Sequence, residues 1–134
     1  MKEVQVADKT LFQKMFLKPG MKFAVVDMPP ACEPLYQNLP TGVEILSLPA
    51  EQLDVLQVFV RNEKELRERL IELKPLLKPA GFMFVCYPKG TSGVPTDINR
   101  DSIWKIAAEN GLGIIANISV DETWTALRFK IIPS

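Results

Sequence analysis

The sequence predicts a three-layer α/β domain with a mostly parallel sheet and a C-terminal antiparallel hairpin. Short apolar, β-branched runs bounded by turn residues recur at Phe23–Val26, Val43–Leu46, Val55–Val60 and Phe82–Tyr87, the pattern of strands buried on both faces. Stretches of helical period separate them, which calls for parallel pairing through right-handed crossovers. The last two runs, about Ile114–Val120 and Thr123–Ile132, meet around Asp121-Glu122 and read as a hairpin that adds an antiparallel strand at one edge.

Near residues 8–17, Leu11, Phe12, Met15 and Phe16 share one face of a short amphipathic helix. Lys18-Pro19-Gly20 turns the chain into the first strand, which Pro29 and Pro30 stop. Residues Glu33–Leu39 have room for a turn or two of helix, and Thr41-Gly42 leads into the second strand, ended by Pro49. After the third strand Asn62 stands as N-cap with Glu65 three residues on, a capping-box pattern. Leu66, Leu70, Leu73 and Leu77 then form one apolar stripe. Glu63 with Arg67, and Glu65 with Arg69, are i, i+4 pairs in the favourable order. Pro75 removes a bond to the Ile71 carbonyl and predicts a break near Lys74. Lys78-Pro79-Ala80-Gly81 reads as the turn into the fourth strand. A helix from about Ile98 to Asn110 stops at Gly111, with Trp104 expected to pack on the sheet.

The chain has 134 residues, 47% apolar and 24% charged, and reads as a single domain over 1–134 with no internal repeat or linker. Sixteen basic residues balance sixteen acidic ones, so no net field draws it to nucleic acid or an anionic membrane. No apolar stretch approaches the ~20 residues a membrane helix needs. Met1–Gln5 lacks the basic-then-apolar pattern of a signal peptide, so a cytoplasmic location is expected. With no histidine and only Cys32 and Cys86, histidine triads are excluded and no metal site is expected. Cys86, in the run Phe82–Cys86, reads as a buried structural thiol. Cys32, after the two prolines, is harder to dismiss.

From Asp54 onward, a buried strand, a capped helix, the turn Leu76-Leu77-Lys78-Pro79-Ala80-Gly81, an apolar strand, a helix and a final hairpin follow in order. This half resembles class I S-adenosylmethionine-dependent methyltransferases, in which a Leu-Lys-Pro-Gly-Gly turn commonly precedes the matching strand. Leu17-Lys18-Pro19-Gly20, Tyr87-Pro88-Lys89 with Ser92-Gly93 and Thr96-Asp97, and Val120-Asp121-Glu122-Thr123-Trp124 with Leu127-Arg128-Phe129 carry a second resemblance. Over residues 10–132 they are similar to a bacterial family of short, uncharacterised Rossmann-like proteins, which implies a fold and no activity.

The methyltransferase resemblance implies a flexible glycine loop after the first strand, where the backbone approaches the cofactor. Met28, Pro29, Pro30, Ala31 and Cys32 stand there instead. It also implies an acidic side chain after the second strand, where Ser47 and Leu48 stand, with Glu51 beyond Pro49. The middle of the chain is short by about a strand and a helix. On these three departures methyl transfer is disfavoured, an enzyme is the less favoured reading, and no cofactor is assigned.

Open α/β sheets bind ligands at the carboxyl ends of their strands. That rule selects Asp27 and Pro30, Arg61, the loop with Lys89, Gly90, Ser92, Gly93, Thr96 and Asp97, and Trp124 as ligand-binding candidates. The loop is rich in backbone donors, carries one cation and runs into a helix N-terminus, a combination suited to a small anion. Against that, its glycines also serve plain turns, Thr96, Asp97 or Asn99 also serves as a helix cap, and Asp97 repels an anion. Asp27 is a strand-end carboxylate that could pair with Arg61 or a ligand amine.

The favoured reading is a non-catalytic Rossmann-like module that binds a small anionic ligand or a protein partner at its strand ends. The alternatives are a minimal transferase using Lys89, Asp97 and Asp27, or a protein that self-associates as a homo-oligomer through its antiparallel edge.

Overall fold

The computed structural model describes residues 10–48 and 52–133. Five strands, β1 (Phe23–Val26), β2 (Leu53–Phe59), β3 (Leu77–Pro88), β4 (Leu112–Ser119) and β5 (Trp124–Ile131), form one sheet in the order β1-β2-β3-β5-β4. β1, β2 and β3 run parallel, while β5 is antiparallel to both β3 and β4. The helices are α1 (Leu11–Lys14), α2 (Glu63–Leu73) and α3 (Arg100–Glu109), with 3₁₀ turns at Pro30–Tyr36 and Lys74–Leu76. This is the three-layer, mostly parallel α/β architecture that the sequence predicts.

Each face of the sheet has its own core. On one, Leu66, Leu70 and Leu73 of α2 and Ile103, Ile106 and Ala107 of α3 pack over Leu56, Val58 and Val85. Burying a leucine of this kind stabilises by about 1.5–3 kcal/mol. On the other, Phe12 and Met15 beside α1, and Cys32 and Tyr36 of the first 3₁₀ segment, pack over Phe23, Val55, Phe59 and Phe84.

Local chemistry explains the boundaries. Thr10 caps α1 in a reciprocal capping box with Gln13; residues 8 and 9, included in the expected helix, lie outside the described residues. Phe16, at φ +57°, ends α1 in the left-handed conformation usually left to glycine. Its ring lies 4.6 Å from the Arg128 guanidinium, which has Phe82 at 3.7 Å. Asn62 caps α2 by accepting from the Glu65 N–H, and Pro75 sits in the 3₁₀ turn that ends the helix, as expected. Glu63 reaches Arg67 at 3.8 Å. The expected Glu65–Arg69 pair does not form: Glu65 accepts from the Arg61 N–H, and Arg69 binds Asp27 and Glu72.

Three other expectations are corrected. Val43–Leu46 is not a full strand; only Ile45 bridges Phe23, with the Leu46 N–H donating to the Phe23 carbonyl. β3 begins at Leu77, so the expected turn Lys78–Gly81 lies inside it, across a register shift against Leu53 and Val55. Gly81 permits this, since a Cβ there would lie 2.8 Å from the Leu53 carbonyl oxygen. Trp104 does not pack on the sheet. It is 46% exposed, because the buried stripe of α3 runs through Ile103, Ile106 and Ala107 and leaves position 104 on the outer flank.

Asp54 ties the base of the sheet together, accepting from the Lys22 N–H at 2.8 Å and from Lys78 Nζ at 2.9 Å. Among the described residues no helix is long and apolar enough to cross a membrane.

Candidate functional site

The carboxyl ends of β1, β2 and β3, with the start of β5, form the edge at which the predicted site residues lie. Their surroundings differ sharply from one end of that edge to the other.

At the β1 end the chain closes over itself. Asp27 has φ +59° and is held by Arg69, whose Nη2 lies 2.8 Å from Oδ2, so its partner is Arg69 rather than Arg61. Pro29 and Pro30 open the 3₁₀ segment, offer no N–H donors, and send Cys32 and Tyr36 into the core. Cys32 donates to Asp121 Oδ2 at 3.5 Å. Burial, reinforced by the Asp121 carboxylate, pushes its thiol up to about 11, which disfavours the thiolate at neutral pH. Tyr36 donates to Gln57 Oε1, and Gln57 Nε2 donates to Cys86 Sγ at 3.2 Å. Gln57 is fully buried, and burial raises the pKa of both Tyr36 and Cys86. Cys86 is thus the structural thiol that its apolar run implies.

The loop from Lys89 to Asp97 is committed to its own structure. Ser92 Oγ donates to the Lys89 carbonyl at 2.7 Å and accepts from Val94 N–H, a local turn completed by Gly93 at φ +81°. Gly90 faces open space. Thr96 Oγ1 donates to the Arg61 carbonyl at 2.6 Å, and Asp97 Oδ1 accepts from Glu63 N–H at 2.8 Å, capping α2 instead of the helix that follows it. Asn99 caps α3 in a reciprocal box with Ser102. Both helix N-termini therefore carry side-chain caps. Asp27, Lys89 and Asp97 bind different partners, and no hydrogen bond or ion pair joins any two of them.

Arg61 and Trp124 do come together. The guanidinium carbon lies 5.8 Å from the indole centroid, and the indole stands edge-on to Phe59 at 5.1 Å. The Arg61 backbone is fixed at both ends, by Glu65 and by Thr96. Among the described residues no carboxylate pairs with its side chain. Lys89 follows directly, its N–H donating to the Thr123 carbonyl and its Nζ to Ser119 Oγ at 3.0 Å.

Sequence reasoning missed Gln57, Tyr36 and Ser119. A single polar residue inside Val55–Val60 was the available signal for Gln57; an isolated serine at a strand end gave none for Ser119. A cavity of about 380 Å³ lined by Leu48, Glu72, Leu73 and Leu76 shares no residue with the predicted site. Ser47 and Leu48 are exposed, while Pro49 and Glu51 lie outside the described residues. Among the described residues no cluster of histidine, cysteine, aspartate or glutamate is placed to hold a metal ion.

Solved structures share this architecture. An S-adenosylmethionine-dependent methyltransferase from Aquifex aeolicus is 14% identical, with a TM-score of 0.61 over 91% of this chain and 88% of its own. A ribosomal protein L11 methylase from Lactobacillus delbrueckii is 14% identical, with a TM-score of 0.56 over 91% of this chain and 75% of its own. A TehB-like S-adenosylmethionine-dependent methyltransferase from Corynebacterium glutamicum is 12% identical, with a TM-score of 0.52 over 84% and 81%. No protein-family model matches the chain, and no curated protein matches it.

The chain has the class I methyltransferase fold, distantly. This corrects the expectation that methyl transfer and enzymatic activity are disfavoured: the likeness to such enzymes spans nearly the whole chain, not its second half alone. The segment after β1 does not fit a glycine-loop mode of holding an adenosyl cofactor, because residues 29 and 30 carry no N–H. That describes how the loop binds and is no ground for setting the reaction aside.

Proposed function

We propose that the protein binds a small anionic ligand at the strand ends of β2, β3 and β5, with Arg61 as its central contact, backed by the buried indole of Trp124. The observation that carries this reading is the Arg61 guanidinium, fixed through its backbone, seated near an indole face and unpaired with any carboxylate among the described residues. A guanidinium near an aromatic face is less hydrated than a free one and presents its fork to a carboxylate or phosphate. Lys89 and Thr96 border the same position, with Gly90, Ser92, Gly93 and Asp97 shaping the loop beside it. Asp27 and Pro30 belong to its β1 flank.

A second reading, transfer chemistry of the methyltransferase type at the same edge, is favoured by the shared fold. Membership in the bacterial family of short Rossmann-like proteins, a single acting domain and a cytoplasmic setting are proposed apart from either reading. Calorimetry tests the two together. S-adenosylmethionine, S-adenosylhomocysteine, nucleotides and small carboxylates are titrated into the wild-type protein and Arg61→Ala. Binding of an anionic compound that Arg61→Ala weakens at least tenfold supports the first reading. Binding of either adenosyl compound supports the second. If none of the panel binds, the proposal fails.

A further inference from the structure

We propose that Lys14, Lys89 and Ser119 form a binding site for the dianion of a phosphate monoester. The three residues come from distant parts of the chain: the last turn of α1, the residue after β3, and the end of β4. Lys14 Nζ donates to the Ser119 carbonyl at 3.4 Å, and Lys89 Nζ donates to Ser119 Oγ at 3.0 Å. Two ammonium groups, one on the serine's carbonyl and one on its hydroxyl, place two like charges around one residue. Among the described residues neither has an ion-pair partner.

Asp121, two residues on, is turned away from them. Its Oδ1 accepts from the N–H groups of Thr123 and Trp124, and its Oδ2 accepts from Cys32. Each ammonium has three donors and uses one on the serine, so donors remain on both sides of an exposed hydroxyl. A tetrahedral dianion takes hydrogen bonds from several directions and matches two positive charges, whereas a carboxylate is planar and carries one. The site shares Lys89 with the border of the Arg61 position, and Lys14 and Ser119 are what set it apart, so loss of phosphate binding in Lys14→Gln with Arg61→Ala unaffected distinguishes the two.

The test is a titration of the full chain with inorganic phosphate at constant ionic strength, followed by amide NMR shifts and thermal unfolding. Saturable shifts centred on residues 14, 89 and 119, with a raised Tm, are expected. Lys14→Gln and Lys89→Gln should each weaken phosphate binding about tenfold, while Lys105→Gln on α3 should leave it unchanged. Ser119→Ala, which keeps both charges, should weaken it less. Shifts that only track ionic strength overturn the proposal, as does a Lys14→Gln/Lys89→Gln double variant that binds like wild type. Acetate binding as tightly as phosphate overturns the assignment of a dianion.

Discussion

At the β1 end of the ligand edge, polar groups find protein partners, most of them buried; at the β2–β3–β5 end, cations stand without carboxylates among the described residues. Asp27 holds Arg69, Cys32 holds Asp121, and Tyr36, Gln57 and Cys86 form a closed buried chain. Arg61, Lys89 and Lys14 have no such closure among the described residues. The difference teaches that one scaffold edge can hold two kinds of polar residue. The buried ones on one side should carry stability, and the unpaired cations on the other should not.

Gln57 offers the largest break in that comparison. Gln57→Ala empties a fully buried site and leaves the Tyr36 hydroxyl without an acceptor, so it should cost about 3 kcal/mol in urea unfolding. Tyr36→Phe, which removes only a hydroxyl, should cost about 1 kcal/mol; equal losses for the two would show that the lost bond, and not the emptied site, is the source. Gly81→Ala comes next, at about 2 kcal/mol, because the new methyl meets backbone that cannot swing aside.

A smaller effect is expected at Asp54. Burial alone would raise its pKa, but the bonds from the Lys22 N–H and from Lys78 outweigh it and hold the carboxyl below its ordinary value. A depressed folded-state pKa means stability that is present above the unfolded value, near 4, and lost as pH falls through the folded one. Asp54→Asn should cost about 1 kcal/mol at pH 7 and flatten the acid limb of a stability–pH profile. An acid limb unchanged from wild type would refute that assignment. Arg61→Ala should change unfolding by less than about 0.5 kcal/mol, the smallest stability effect of the set. A loss above 1 kcal/mol would place Arg61 with the structural residues and dissolve the contrast.

Much of the architecture was legible because local signals agreed with the fold. Asn62, the leucine stripe and Pro75 bound α2 from both ends, and apolar runs located every strand of the described sheet. Register was not legible: β3 starts at Leu77 because Gly81 lets two backbones meet, and spacing alone does not report such a contact. The strand-end rule selected Arg61 and Trp124, whose side chains the structure places side by side. It also gathered Thr96 and Asp97, whose polar atoms serve Arg61 and the start of α2, since a cap and a ligand contact use the same residue types. Lys14 and Ser119 were invisible because 105 residues separate them. The weight given to the absent glycine loop erred for a different reason, since a loop sequence reports one way of holding a ligand and the fold constrains chemistry more loosely.

Gly81 has a consequence for how this sequence can drift. With the Leu53 carbonyl 2.8 Å from where a Cβ would stand, substitution there requires the bases of β2 and β3 to separate. Asp54 and Lys78 flank that junction and would be drawn apart with it. A descendant that loses this glycine should therefore be found with a changed neighbour at 53, 54 or 78. The position marks a small group of residues that must vary together.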